Sequence, residues 1–173
     1  DIFGGGVEPI ATTINWVMAE RTRDPIVMKT AQVEVREVFN MKGKVDEICI
    51  NELRYLKSVV KETLRLHRPA PLILPREYRC QLMDIIYQSK SMCLSMLGQL
   101  KEIQANGTEP PERFYPERFI DISVNYKRSN FEFIPFGAGR RICPGSTFNL
   151  LNVELALAFL LYHFDWNSKW NEK

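Results

Sequence analysis

The sequence predicts a mainly α-helical domain with small β elements, and two observations support this prediction. Apolar residues recur at spacings of three and four in several segments, which is the period of an amphipathic helix. Capping residues and prolines stand at the ends of these segments, where helices begin and stop. The chain has 173 residues, enough for one domain of ordinary size, and we treat residues 1–173 as a single domain.

The first two predicted helices follow each other closely. Residues 11–20 have the pattern of the end of a helix. Asp24 and Pro25 then supply an N-cap and a proline at the first helical position, so a second helix begins there, and Gly43 marks its end. The apolar stripe of this second helix consists of Met28, Ala31, Val35 and Val38.

Two further helices are predicted, separated by a long connection. One covers residues 51–67 and is ended by the proline-containing run 68–71, after which 72–74 is a candidate short strand. Residues 110–135 contain prolines and scattered aromatics, which indicates an ordered loop packed on a surface, and the last helix runs from just after Cys143 to about residue 163. The stripe of the 51–67 helix consists of Leu53, Leu56, Val60 and Leu64.

Composition excludes several classes of protein. At 45% hydrophobic and 25% charged, the chain is globular rather than disordered. A net charge of +2 without a Lys/Arg block does not indicate nucleic acid. Four separated cysteines and two histidines disfavour zinc and a disulfide framework, which favours a reducing compartment. The most apolar run, residues 155–162, is too short for a membrane span, and no signal peptide is visible.

The run FGAGRRICPG at residues 136–145 carries most of the functional information. It combines three glycines, two arginines and one cysteine, Cys143, just before a helical pattern. A cysteine at a helix N-terminus beside cations is favoured as the thiolate, and glycines let the backbone approach a partner closely. A thiolate offered from such a turn suits haem iron, with the arginines placed for its carboxylates. The alternative is an inert buried thiol, the interpretation we keep for the other three cysteines.

This run resembles the cysteine-ligand loop of the cytochromes P450, FxxGxRxCxG, at every fixed position: Phe136, Gly139, Arg141, Cys143 and Gly145. A cysteine thiolate is the haem ligand of that family. The resemblance implies that Cys143 is the axial ligand of haem b. It also implies that Arg141 anchors a haem propionate and that the other three residues shape the turn around the cofactor.

A Glu-x-x-Arg pair, Glu62 and Arg65, lies on one face of the predicted 51–67 helix. On its own it reads as a solvated ion pair. In the P450 family such a pair joins the arginine of a PERF segment in a buried network behind the haem, and buried pairs need the bidentate geometry that arginine offers. The tetrapeptide occurs twice here, at 111–114 and 116–119, and we assign the role to Arg118 of the second copy because it lies closer to the cysteine loop.

Two further site residues come from the resemblance. Arg76 follows the candidate strand after the Glu-x-x-Arg helix, where relatives place a second propionate anchor. Residues 4–9, GGGVEP, resemble the oxygen-activation motif [AG]Gx[DE]T, with Glu8 at the acidic position that takes part in proton delivery. The threonine expected next is Pro9, which has no hydroxyl and no backbone N–H.

The resemblance covers residues 1–79 and 108–166 and is closest to plant P450s of specialised metabolism. It implies a partial P450 domain that corresponds to the C-terminal portion of the fold. The N-terminal three-fifths of the family fold, which carry the membrane anchor, would be missing, and the chain would leave the family pattern after Trp166. Residues 80–107 depart from the pattern. A one-base shift of assumed codons restores family-like runs there, so we interpret 80–107 as out of the ancestral reading frame. Met92, Leu94, Met96, Leu97 and Leu100 have helix-like spacing in a region where relatives have strands.

The implied function is that of a haem-thiolate monooxygenase, which inserts one oxygen atom from O2 into a small apolar substrate such as a plant specialised metabolite. The implied partner is cytochrome P450 reductase, which passes on electrons from NADPH. The intact family works at the cytosolic face of the endoplasmic reticulum membrane. The alternative is an inactive truncated remnant without stable haem binding. A small helical binding module has no supporting feature in the sequence.

Overall fold

The structure is a computed structural model, and it describes residues 2–43, 47–70, 76–82, 85–93, 110, 112–120, 133–137, 139 and 142–166.

Helix α1, Ile2–Arg23, includes the predicted 11–20 segment and continues around Pro9. Because proline has no N–H, the helix lacks the hydrogen bond that residue 9 would otherwise donate to the carbonyl of Gly5. The hydroxyl of Thr13 donates to the Pro9 carbonyl at 2.8 Å. The interruption therefore lies in the first half of α1, where Phe3 and Val7 are 87% and 64% exposed.

Helix α2, Pro25–Lys42, has the predicted beginning and end. The Asp24 carboxylate accepts from the N–H groups of Ile26 and Val27 at 3.2 and 3.4 Å. Gly43 ends the helix with a left-handed φ of 68° and donates to the Phe39 carbonyl at 2.9 Å. Of the predicted stripe, Met28, Ala31 and Val35 are buried and Val38 is partly buried.

Helix α4, Arg54–Leu66, is the predicted third helix, and it begins three residues later than the pattern indicated. A four-residue helix that the sequence did not predict, α3 (Glu47–Ile50), precedes it. The Glu34 carboxylate of α2 accepts from the N–H groups of Tyr55 and Leu56 at 2.8 and 2.9 Å, which caps α4 from outside its own segment. All four residues of the predicted stripe are buried.

Two strands follow, β1 (Arg76–Leu82) and β2 (Ile85–Cys93), and they pair antiparallel. Met92 lies opposite Glu77 in this hairpin, so the helix-like spacing that begins at Met92 does not produce a helix there. The reason is that backbone pairing between neighbouring strands overrides a short side-chain pattern. The predicted strand at 72–74 and the remainder of the helix-like run lie outside the described residues.

The last elements are a 3₁₀ turn, Pro116–Phe119, and helix α5, Ser146–His163, which has the bounds predicted for the final helix. Helices α1, α2, α4 and α5 pack on one another, and the 3₁₀ turn packs on α4. In the described part of the chain, no helix has the length and apolar character needed to cross a bilayer. The core between the helices includes Val17, Ala31, Val35, Phe39, Leu56, Val60, Leu157 and Leu161.

Candidate cofactor site and its buried support

The turn that carries Cys143 is held by backbone geometry that only glycine adopts freely. Gly137 and Gly139 have left-handed φ angles of 76° and 73°. The N–H of Cys143 donates to the Phe136 carbonyl at 3.0 Å, which closes the turn, and its carbonyl accepts from Ser146 at 3.3 Å as α5 begins. The sequence therefore fixes the position of Cys143 at the start of an 18-residue helix.

The Cys143 thiol is free and half-buried, whereas Cys49 is 2% exposed in the core. Gly145 differs from the turn glycines because its φ of −86° is open to any residue. A Cβ built on Gly145 would lie 3.7 Å from the Asn149 carboxamide, which is an ordinary contact. The conformational requirement for glycine is thus confined to Gly137 and Gly139.

An apolar cleft lies between α1 and α5, beside the Cys143 turn. It encloses about 280 Å³ of empty space, including the part open to solvent. Helix α1, the end of α4, the cysteine turn and the first turns of α5 all contribute walls. The lining residues are Pro9, Ile10, Thr13, Leu64, Pro69, Phe136, Asn149, Leu150 and Val153.

Behind this region, the Glu62 carboxylate is fully buried and satisfied from several directions. Arg65 binds it with two hydrogen bonds, Nε to Oε2 and Nη2 to Oε1, both 2.8 Å long. The backbone N–H of Tyr115 donates to Oε1 at 2.9 Å, and Nε of Arg118 lies 3.7 Å from the same oxygen. The side chains of Glu62, Arg65 and Arg118 are 0%, 1% and 3% exposed. The geometry is the bidentate, multiply bonded kind that a buried ion pair requires.

The two PERF copies are placed differently. Arg118, from the second copy, reaches Glu62 and also donates to the Pro110 carbonyl at 3.3 Å. Arg113, from the first copy, is exposed, and its backbone carbonyl accepts from Arg65 at 3.3 Å. The second copy therefore supplies the side chain and the first copy supplies a main-chain acceptor.

A tyrosine from α4 ties the second PERF copy to the helix. The hydroxyl of Tyr55 donates to Glu117 at 2.8 Å. Burial, together with this hydrogen bond, raises the pKa of Tyr55, so it remains a neutral donor.

Sequence reasoning missed a second buried carboxylate, Glu20 near the end of α1. Its Oε1 lies 2.7 Å from Nε2 of His67, the residue that follows α4, and 3.0 Å from Arg23. The His67 ring stacks on Trp16 with centroids 4.0 Å apart and planes 1° apart. These contacts join the ends of α1 and α4. Glu20 and His67 are 47 residues apart in sequence, so no local spacing could have predicted their contact.

The remaining site candidates have different outcomes. Glu8 is exposed on α1 and is not among the cleft-lining residues, although Pro9 beside it is. Arg76 is the first residue of β1, and only its backbone is described. Arg141 lies outside the described residues. The structure thus brings Glu62, Arg65 and Arg118 together, and brings Phe136 to the cleft beside the Cys143 turn.

The described part of the chain is thus a helical domain with a free thiol on a glycine turn beside an apolar cleft. The family model named "Cytochrome P450" matches residues 1–173. The chain therefore belongs to the cytochrome P450 family. Proteins of this family use haem with electrons derived from NADPH, generally through a reductase partner, and act on small substrates.

The chain is similar to several plant proteins over 96–97% of its own length. It is 55% identical to Cytochrome P450 71D11 of Lotus japonicus, of which it covers 34%. It is 54% identical to desmethyl-deoxy-podophyllotoxin synthase of Sinopodophyllum hexandrum, of which it covers 33%. With tabersonine 16-hydroxylase 1 of Catharanthus roseus, the match is 49% identical over 97% of this chain and 33% of the relative. The chain thus spans about a third of the length of the curated relatives it matches.

The described residues fit one side of a haem site by their chemistry. A macrocycle is apolar over most of its surface, and the cleft walls contributed by Ile10, Leu64, Phe136, Leu150 and Val153 are apolar as well. The half-buried thiol beside this cleft is the ligand type that the family uses.

Proposed function

We propose that this chain carries the thiolate side of a haem-thiolate monooxygenase site, with Cys143 as the axial ligand of haem b. The observation that supports this most strongly is the free, half-buried thiol on a glycine turn beside an apolar cleft. When bound, haem supplies the activation of O2 and the insertion of one oxygen atom into a small apolar substrate, such as a plant specialised metabolite. The protein orients the cofactor and excludes water.

The other residues take supporting roles in this proposal. Phe136 forms a wall of the cleft, and Gly139 gives the turn its left-handed conformation. Gly145 begins the helix behind the cofactor. We assign Arg141 and Arg76 to the two propionates because guanidinium groups bind carboxylates in a bidentate manner.

Glu8 is assigned to proton delivery. Its exposed position on α1 gives it access to solvent protons, and Pro9 beside it reaches the cleft. Glu62, Arg65 and Arg118 are assigned a structural role, because the Glu62 carboxylate is bonded by Arg65 and by the Tyr115 backbone, and the buried Arg118 side chain lies 3.7 Å from it.

We further propose that the longer protein of this type receives its electrons from NADPH through cytochrome P450 reductase. That protein would act at the cytosolic face of the endoplasmic reticulum membrane. The support for both statements is membership of a plant P450 group, as the similarity to the Lotus japonicus and Catharanthus roseus proteins indicates.

Haem titration of the purified chain tests the proposal. We expect saturable one-to-one binding with a thiolate-type Soret band, and loss of that band in Cys143→Ser. The matched control is Cys49→Ala, because Cys49 is buried in the core and is not among the residues that line the cleft. A Cys143→Ser protein that keeps the parent spectrum would contradict the assignment.

An inactive remnant is the second candidate, and Pro9 is the observation that favours it. Proline occupies the position at which the family motif has a hydroxyl, and it interrupts α1 within the wall of the cleft. Restoring the hydroxyl with Pro9→Thr separates the two candidates. If Pro9→Thr consumes O2 with product formation while the parent chain does not, the parent chain is an inactive remnant. Equal turnover in the parent and in Pro9→Thr favours the interpretation that the parent is an enzyme.

We also propose that residues 80–107 are encoded outside the ancestral reading frame. The support is the family-like sequence that a one-base shift restores on both sides of Ser95. Sequencing the transcript tests this. Codons that do not give family-like residues in any frame would overturn it.

A further inference from the structure

Three side chains join α1 to the end of α4. Oε1 of Glu20 lies 2.7 Å from Nε2 of His67, and the His67 ring stacks on Trp16 with centroids 4.0 Å apart. The side chains of Glu20 and His67 are 5% and 18% exposed, whereas the second partner of Glu20, Arg23, is 71% exposed. Because exposed ion pairs contribute little, the contact with His67 is the one that compensates for burying the Glu20 carboxylate.

Both sides of this contact continue walls of the cleft. Thr13 lines the cleft, and Trp16 and Glu20 follow it at spacings of three and four residues, so the three lie on one face of α1. On the other side, His67 ends α4 and stands two residues before Pro69, which also lines the cleft. A movement that separates Glu20 from His67 therefore also separates two walls of the cleft.

We propose that Glu20 and His67 are positioning residues that latch the α1 wall of the cleft to the end of α4 and slow the release of haem. This inference rests on the proposed function. Separating the two side chains leaves the Glu20 carboxylate without its buried partner and parts the stacked rings of Trp16 and His67, and both changes cost free energy. The latch therefore keeps the two walls together for most of the time.

Two measurements test the latch: hydrogen exchange of the haem-free chain, and the rate at which the haem-loaded chain gives up haem to apomyoglobin. His67→Phe keeps a ring for Trp16 to stack on but removes the hydrogen bond, and Glu20→Ala removes the carboxylate. In both variants we expect exchange at residues 10–16 and haem release to be roughly tenfold faster, the factor that a hydrogen bond to a charged group contributes. Glu20→Gln keeps an oxygen acceptor, so it should stay closer to the parent than Glu20→Ala does.

The control is Glu34→Ala, which removes the cap at the start of α4. Glu34 and the two residues that it caps are not among the residues that line the cleft. This variant should lose stability but keep the parent rates of haem release and of exchange at residues 10–16.

Several outcomes would overturn the latch while the proposed function stands. These are parent rates in both His67→Phe and Glu20→Ala, equal changes in Glu34→Ala, equal rates in Glu20→Gln and Glu20→Ala, and faster exchange without faster haem release. If His67→Phe does not fold, Glu20→Ala decides, because it leaves no unpaired carboxylate. If the parent chain takes up no haem, the proposed function fails and the role in haem release fails with it. Hydrogen exchange still decides in that case whether Glu20 and His67 hold the two helices together.

Discussion

The buried network around Glu62 consists of charged and hydrogen-bonded groups, whereas the cleft beside Cys143 is lined mostly by apolar side chains. Each oxygen of the Glu62 carboxylate has a donor at 2.8 Å, and the neighbouring arginines also bind backbone carbonyls. Among the described residues of the network, Nε of Arg118 is buried without a hydrogen-bond partner. In the cleft, by contrast, most of the lining side chains are apolar, and Thr13 and Asn149 are the polar side chains among them. A dense network of buried hydrogen bonds supports the fold, whereas an apolar cleft suits an apolar ligand.

The largest effect should come from breaking the network. Arg65→Ala removes three hydrogen bonds, two of them to Glu62, and leaves the Glu62 charge buried. We expect this to cost about 3–5 kcal/mol in the free energy of unfolding. Urea unfolding followed by circular dichroism measures it. The control is Asp165→Ala, because the Arg36–Asp165 pair is solvent-exposed and should contribute less than about 1 kcal/mol. Equal losses of unfolding free energy in the two variants would show that the buried network stabilises the chain no more than the exposed ion pair does.

The second prediction concerns the cleft wall. Pro9→Ala restores the helical hydrogen bond to the Gly5 carbonyl, so it should stabilise the chain by up to about 3 kcal/mol. Thermal unfolding reports the change as a higher midpoint. Pro25→Ala is the matched control, because that proline stands at the first position of α2 and removes no helical hydrogen bond. An unchanged or lower midpoint for Pro9→Ala would show that proline fits α1 without cost.

A smaller effect is expected at the cap of α4, which positions Glu62 and Arg65. Glu34→Ala leaves the N–H groups of Tyr55 and Leu56 without their acceptor, and we expect a loss of about 1–2 kcal/mol. Glu37→Ala, an exposed position on the same helix, is the control. If chemical denaturation gives the same midpoint for both variants, the contact between α2 and α4 does not stabilise the helix that carries Glu62 and Arg65.

Glu154 challenges the comparison most directly, because it is a buried polar group outside the cleft. It is 6% exposed on α5, and no hydrogen bond of its carboxylate occurs in the described part of the chain. Burial raises its pKa above 4.5, although the charges of Lys57 and Lys61 oppose this. Burial also lowers the pKa of Lys61. Glu154 thus responds to burial by holding its proton more tightly.

The sign of the resulting pH dependence follows from linkage. The folded chain binds the Glu154 proton more tightly than the unfolded chain, so folding loses stability as the pH rises from 4.5 through the raised pKa. We expect Glu154→Gln to be more stable than the parent above that window and equal to it below. Unfolding curves across this pH range measure the difference, with Glu37→Gln as the exposed control. A Glu154→Gln variant less stable at neutral pH would mean that the lysines outweigh burial.

Much of the scaffold could be predicted from local sequence, because helices and caps depend on near neighbours. The Asp24–Pro25 start, the Gly43 end and the buried stripe of α4 follow directly from residue type and spacing. The Glu62–Arg65 pair was visible for the same reason, being three residues apart on one helix.

The features that could not be predicted from the sequence depend on contacts between residues far apart along the chain. The Glu34 cap on α4 and the contact of Glu20 with His67 join residues at least 21 positions apart. Met92 belongs to a strand because β2, which contains it, pairs with β1. None of these features leaves a period or a motif in the local sequence.

The most direct test of the central claim is electron paramagnetic resonance of the haem-loaded chain, because the spectrum reports the atom that coordinates the iron. We predict a low-spin ferric signal typical of sulfur ligation in the parent and its loss in Cys143→Ser. A parent spectrum without sulfur ligation, or the same sulfur signal in Cys143→Ser, would contradict the account.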